Sequence, residues 1–492
     1  MTAAVSGVGA TGALLDGLSG DLLVGGTWVP AGGGDCFEVI DPADESVLAT
    51  VADAGVDDGL AAVDAASAAL ASWAATAPRQ RGEILRRAFE LMTERKEAIA
   101  QLIVRENGKA LADARGEVAY AAEFFRWFAE EAVRIDGSLS RAPSGDKRIL
   151  VDHQPIGVSL LVTPWNFPAA MATRKLAPAL AAGCTTLLKP AEDTPLTALA
   201  LGALLTEAGA PPGTVNVVTT RRPAPLVDAV LHHRAVRKLS FTGSTEVGRV
   251  LLRAAADRVV SCSMELGGNA PFVVLADADL DAAVAGAMVA KMRNGGAACT
   301  AANRFYVERS VAGEFARRLS EAMASVRVGP GLEAGVDLGP LVNREQREKV
   351  ARLVAGAVTS GARVLTGGDR PPRPGFFYRP TVLDGVPAEA GILGEEIFGP
   401  VAPIVAFDDE DEAVEAANDT EYGLISYVYG GDLGRTLHVA DRLEAGMVAV
   451  NRGVLSDPAA PFGGVKQSGL GREGAHHGLL EFLEPKYVAV DW

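Results

Sequence analysis

The stretch KLSFTGSTEVGRVLLRAAA, Lys238–Ala256, decides how the chain is read. It opens as a β run, passes through Thr242-Gly243-Ser244-Thr245, and turns helical with Glu246 in the first helical turn. A strand that runs through a small-residue turn into a helix is half of a βαβ unit. Free N–H groups and the helix dipole at Ser244 would bind a pyrophosphate, and Gly243 would let such a ligand approach. The same residues also make an ordinary N-cap over a tight turn, and the stretch alone leaves both readings open.

Working outward, the β-rich runs GVSLLV, CTTLLK, TVNVV, RKLSF and VVSCSM recur between Gly157 and Met264. Helical stretches such as TPLTALALGALLTEAG separate them, which predicts a parallel, doubly wound sheet. A second alternating series, NAPFVVL, RFYVE, ARVLTGG, TVLDGV, VAPIVAF and MVAVN, fills Glu265 to about Gly474 and predicts a second α/β domain. Upstream, residues 55 to 135 read as helical from apolar spacings of three and four, after a Gly-rich, strand-like opening. With 492 residues the chain is too long for one core.

Charge and cysteine usage narrow the function. A formal net charge of -16 argues against nucleic acid and anionic membrane surfaces as partners. The uncharged segment 154–173 contains Pro155, Pro164 and Pro168, so it is read as a buried strand, a loop and a helix start and not as a membrane span. Cys36, Cys184, Cys262 and Cys299 lack C-x-x-C spacing, so no metal site and no disulfide framework is expected. The first basic residue is Arg79, which argues against a targeting peptide and leaves a cytoplasmic location as the expectation. Two matches to G-x-G-x-x-G, Gly7–Gly12 and Gly469–Gly474, lack the strand before and helix after that the fingerprint needs.

Ligands of a doubly wound sheet bind beyond the carboxyl ends of its strands, so the residues there are the candidates. LLKPAEDTP offers Lys189 and Glu192, a carboxylate able to accept from ribose hydroxyls or to stand in a solvated loop. LLVTPWNFP sets Trp165, Asn166 and Phe167 between two prolines, Asn166 being a turn former or a placed donor. SMELGGNAPF puts Glu265 directly after buried strand residues, as a general base or an edge salt bridge. MRNGGAACTAANRF, Met292–Phe305, surrounds Cys299 with small side chains, as a nucleophile or a buried thiol. Thiol, amide donor, carboxylate and dinucleotide site together describe oxidation of an aldehyde through a thiohemiacetal and a thioester.

TPWNFP, KPAEDTP, FTGSTEVG, MELGGNAPF, the cysteine loop, EEIFGPV (395–401), YGL (422–424) and PFGGVKQSGLGREG (461–474) together resemble the aldehyde dehydrogenase superfamily over essentially the whole chain. The resemblance implies a Rossmann-like cofactor domain (1–135 and 155–264), a catalytic α/β domain (265–477) and a small bridging β-sheet (136–154 and 478–492) that builds homodimers or homotetramers. It implies Cys299 as nucleophile, Asn166 with the Cys299 N–H as oxyanion donors, and Glu265 as base. Trp165, Lys189, Glu192, Gly243, Ser244, Glu396 and Phe398 would hold the cofactor. That cofactor is NAD by the charge of Glu192, with NADP possible because Lys189, Arg221 and Arg222 could offset it.

Arg174, Arg293 and Ser456 match positions that line the substrate tunnel, with Phe167 and Phe462 beside them, and look like the Arg, Arg and Ser of succinate-semialdehyde dehydrogenases. Two guanidiniums suit one substrate carboxylate, although the arginines could equally pair with the protein's own acids. Glutarate semialdehyde, a neutral aldehyde, or a non-catalytic NAD-binding role are the alternatives. Ala297, where the family usually has glutamine, has no explanation in the sequence, and Ala301 removes the second cysteine of a regulatory disulfide found in some relatives.

Overall fold

The computed structural model describes residues 18–491, so the Gly7–Gly12 motif and the outermost ends of the expected domain spans lie outside the described residues. Its largest sheet has eight strands, in the order Thr27–Val29, Leu22–Val24, Val215–Val217, Thr186–Lys189, Val158–Val162, Val236–Thr242, Ser261–Glu265 and Gly469–Leu470. The five strands from Val215–Val217 to Ser261–Glu265 are parallel, and the flanking strands are antiparallel. Apart from Arg237 and the Ser261–Cys262 end, these five strands are buried. Burial on both faces explains why they read as continuous apolar runs and not as alternating ones.

A second sheet of seven strands runs Arg363–Thr366, Thr381–Asp384, Val401–Phe407, Ala302–Glu308, Ala270–Val274, Ile425–Tyr429 and Met447–Val450, all parallel but the first. Only Ile425–Tyr429 escaped the sequence reading. The α/β architecture is therefore as expected.

Three further elements complete the described fold. Ser138–Arg141, Arg148–Pro155 and Leu483–Val490 form a separate antiparallel sheet. Leu139, Leu150 and Val488 face one another in register across its three strands, and all are exposed. Gly469–Leu470, part of a motif set aside above, returns from the end of the second α/β series to pair with Ser261–Glu265, setting Gly469 opposite Glu265. The uncharged 154–173 segment is a strand, a loop and the start of the buried helix Pro168–Ala182, and no single helix among the described residues is long and apolar enough to cross a membrane.

Helix Lys96–Asn107 stops at Gly108, which takes φ +94, a conformation that favours glycine. Its last turn places Glu106 in the core, where the carboxyl accepts from Leu196 N (2.8 Å) and Thr197 N (3.0 Å) and caps helix Pro195–Glu207. Burial pushes this carboxyl up to about 8, and the hydrogen bonds from Thr197 and Leu196 pull against that rise. Glu106→Ala strands three buried donors, the amides of Leu196 and Thr197 and the Thr197 hydroxyl, so urea unfolding should show a loss of at least roughly 1–3 kcal/mol. An unchanged midpoint would mean that this cap contributes nothing.

Candidate active site

The parallel strands run outward from Val158–Val162 through Thr186–Lys189 to Val215–Val217, and the chain then crosses back to Val236–Thr242 on the other side of Val158–Val162. That reversal opens a crevice at the strands' carboxyl ends. A cavity of about 590 Å³ fills it. Asn166, Cys299, the seven expected cofactor residues and the five expected substrate residues all border this one cavity, and Glu265 alone of the candidates does not.

The cofactor side fits a dinucleotide. Val247, Val250, Leu251 and Ala254 of helix Thr245–Ala256 give one apolar wall, and the buried Thr242 hydroxyl has no partner among the described residues. Ser244 caps the helix by accepting from Val247 N (3.3 Å), so the turn is an N-cap and also borders the cavity. Gly243 is required for a reason internal to the fold: a Cβ there would lie 2.4 Å from the Phe241 ring. Lys189 is buried and reaches Glu192 at 3.5 Å. Arg222 is turned to Asp35 (3.1 Å) and Asp53 (3.9 Å), and neither it nor Arg221 borders the cavity, so of these three cations only Lys189 stands beside Glu192.

Glu396 accepts from Gly268 N (3.1 Å), and burial pushes its carboxyl up to about 7. Phe398 sits at φ +56, unusual for an aromatic, with Gln346 Nε2 donating to its carbonyl (2.9 Å) and its ring edge-on to Trp165 at 5.2 Å. Lys291, wholly buried and pushed down to about 7 by burial, donates to Gly399 O (3.3 Å) and ties this turn to the cysteine loop.

Asn166 is held by residues the sequence reading passed over. Lys109 Nζ donates to Asn166 O (2.7 Å) and to Glu117, while Glu117 accepts from Ala169 N (2.8 Å) at the start of helix Pro168–Ala182. Asn107 Nδ2 donates to Trp165 O (2.9 Å), and Asp113 accepts from Asn294 N (3.0 Å) in the cysteine loop. The only signal for them was a polar cluster, Glu106–Asn107–Gly108–Lys109, closing an apolar helix. Asn166 Nδ2 donates one hydrogen to Ala297 O (3.1 Å) and keeps a second, and the Cys299 N–H meets no acceptor among the described residues. Asn294 Nδ2 also donates to Ala297 O (2.8 Å), so the residue with no sequence explanation is a junction of the loop.

Asn294, Gly295 and Gly296 all take positive φ, folding the chain sharply ahead of Cys299. Gly268 lies so close beneath that a Cβ would meet Cys299 O at 2.4 Å. Burial pushes the Cys299 thiol up to about 12, Arg174 and Arg293 draw it down, and Glu396 and Glu265 oppose them. Glu265 is 3% exposed with both carboxyl oxygens unpartnered, and burial together with neighbouring Glu473 holds it well above the ordinary carboxylate range.

The two cavity arginines differ. Arg174 is 2% exposed, faces Glu473 at 3.6 Å and lies 4.1 Å over the Phe462 ring, so the protein's own acid does engage it. Arg293 makes no ion pair among the described residues and rests on Phe167 at 5.2 Å. Arg304, by contrast, is buried and spent on the carbonyls of Asn269, Ala416 and Ala417.

Residues 28–488 match the aldehyde dehydrogenase family model. The succinate-semialdehyde dehydrogenase of Paenarthrobacter nicotinovorans is 54% identical over 444 residues, 90% of this chain and 99% of that protein. The NADP(+) succinate-semialdehyde dehydrogenase GabD of Escherichia coli is 48% identical over 95% of this chain and 97% of its own length. Among solved structures, betaine aldehyde dehydrogenase of Staphylococcus aureus in complex with NAD+ superposes with a TM-score of 0.94 at 33% identity, covering 97% of this chain and 96% of that one. Sequence, fold and site agree: the chain belongs to the aldehyde dehydrogenase family.

Proposed function

We propose that the protein oxidises an aldehyde bearing a distal carboxylate, succinate semialdehyde foremost, to the acid. The observation that carries this reading is Arg293, a partly buried guanidinium that makes no ion pair among the described residues, is attracted by Asp113 only through space, and borders the same cavity as Cys299, Arg174 and Ser456. A free cation in an apolar cavity selects an anionic ligand, because burying it unpaired is costly. The names of the relatives at 54% and 48% identity support the same substrate.

Cys299, as thiolate, attacks the carbonyl carbon, and a C–S bond forms. The oxygen gains negative charge and takes hydrogen bonds from Asn166 Nδ2 and the Cys299 N–H, a donor pair of which each member contributes roughly 2.7–4 kcal/mol in comparable sites. A dinucleotide held in the cavity would supply the acceptor for the hydride that leaves the hemithioacetal carbon, which becomes a thioester. Glu265, its oxygens unpartnered, turns toward the thioester as carboxylate and draws a proton from water; hydroxide adds, the C–S bond breaks, and acid and thiol are released. Lys189, Glu192, Ser244, Glu396, Trp165 and Phe398 hold the cofactor in this reading, and Phe167 and Phe462 shape the tunnel. The first sheet serves as the cofactor unit and the second as the catalytic unit. The exposed Leu139–Leu150–Val488 stripe on the third sheet supports self-association into dimers or tetramers.

Three outcomes are expected. A thiol held near 12 is almost wholly protonated at neutrality, and its thiolate fraction grows as pH rises. Alkylation of Cys299 in the cofactor-free protein, mapped by mass spectrometry, should thus climb about tenfold per pH unit from pH 7 to 9; a plateau below pH 8 would contradict the burial argument. Initial rates over C3–C6 semialdehydes and neutral aldehydes should favour the C4 semialdehyde. Arg293→Leu should cut kcat/KM for that substrate by about tenfold to a hundredfold. Equal efficiency on neutral aldehydes would sink the reading, and a C5 optimum would favour glutarate semialdehyde. Because Glu192 repels a 2′-phosphate, NAD should serve better than NADP, and Glu192→Ser should shift the ratio toward NADP by about tenfold or more; no shift would remove Glu192 from cofactor choice.

A further inference from the structure

Tyr120, on helix Leu111–Glu131, borders the cavity with Cys299, Arg293 and Ser456 and played no part in the sequence reading. Its ring stands edge-on to Phe124, centroids 4.9 Å apart. Both cavity guanidiniums lie over that ring, Arg174 at 5.6 Å and Arg293 at 5.9 Å from its centroid.

Arg174 Nη2 hydrogen-bonds to the Tyr120 hydroxyl. The direction of that bond is forced, because a guanidinium has no lone pair to offer, so the phenol oxygen accepts. The hydroxyl therefore keeps its own hydrogen, and among the described residues no protein acceptor takes it. Accepting from a cation also polarises the O–H and strengthens it as a donor. Arg174 is itself half-committed: Nη1 faces Glu473 at 3.6 Å, while Nε is buried without a partner. An unused O–H, an unused N–H and an unpaired guanidinium thus gather around one aromatic ring at the cavity wall.

We propose that Tyr120 is a specificity-determining residue whose hydroxyl donates to the distal carboxylate of the substrate, as a third donor beside Arg293 and Arg174. The assignment rests on the reading that the substrate carries that carboxylate. A carboxylate has two oxygens and about four acceptor directions, so it can serve two guanidiniums and a hydroxyl together. A neutral aldehyde of the same length leaves the hydroxyl without an acceptor. Sites built to hydrogen-bond a polar group reject analogues that lack it more strongly than apolar pockets reject a misfit.

The test is the ratio of kcat/KM for succinate semialdehyde to that for butyraldehyde, measured with the full-length enzyme and NAD. Tyr120→Phe keeps the ring and its packing, and thermal unfolding checks that the variant folds. The ratio should fall about tenfold in Tyr120→Phe, chiefly through KM for the semialdehyde. The same substitution made in an Arg174→Met background should lower the ratio further; no additional fall would mean that Tyr120 acts only by orienting Arg174 and would overturn the proposal. A strong wild-type preference left unchanged by Tyr120→Phe overturns the role of Tyr120 alone. A wild type indifferent to the carboxylate overturns both this role and the substrate reading.

Discussion

Lys109 and Glu117 meet where almost no water reaches, with side chains 2% and 0% exposed, and from that pair the geometry of the site is suspended. The ammonium also binds the Asn166 carbonyl, and the carboxylate also caps the helix that carries Arg174 and Lys175. Two buried charges are tolerated here because each is hydrogen-bonded more than once. Removing either would leave the other unpaired, typically a loss of about 3–5 kcal/mol. Asn166, in the loop before helix Pro168–Ala182, and Arg174, within that helix, are thereby tied to one buried pair.

The ionisable groups beside Cys299 share one tendency. Burial holds the thiol, Glu265 and Glu396 toward their neutral forms, so these three groups add little negative charge around Cys299. Arg174 is the counterweight, drawing down both the thiol and Glu265 while it faces Glu473. On the proposed reading, substrate recognition and acid–base chemistry meet in Arg174.

How far this could be read without coordinates depended on whether the signal was local. The parallel strands were legible because burial on both faces leaves unbroken apolar runs, and Cys299, Asn166 and Glu265 were legible because each follows such a run or sits in a distinctive loop. Lys109 was not, since its acceptor lies 57 residues away and the polar cluster around Lys109 does not point to it. Tyr120 reads as one more apolar position on an amphipathic helix until Arg174 is seen against it. Gly243 illustrates a different case: the residue was singled out for ligand approach, and the structure adds the Phe241 ring, which leaves no room for a side chain there. The pairing of Arg174 with Glu473 joins positions about 300 residues apart, a separation that no local pattern encodes.

The small strand Gly469–Leu470 has a consequence during synthesis. It closes the edge of the cofactor sheet next to Glu265, and Ser468 adds bonds to Leu266 N (2.9 Å) and Gly267 O (2.7 Å). At ~5–20 residues per second, roughly 10–40 s separate the emergence of Glu265 from that of its edge partner. Throughout that interval Ser261–Glu265 presents open backbone groups, a surface on which nascent chains can pair wrongly. The strand that bears Glu265 is thus finished only after the whole second α/β series has been made, and products truncated before Gly469 lack that edge.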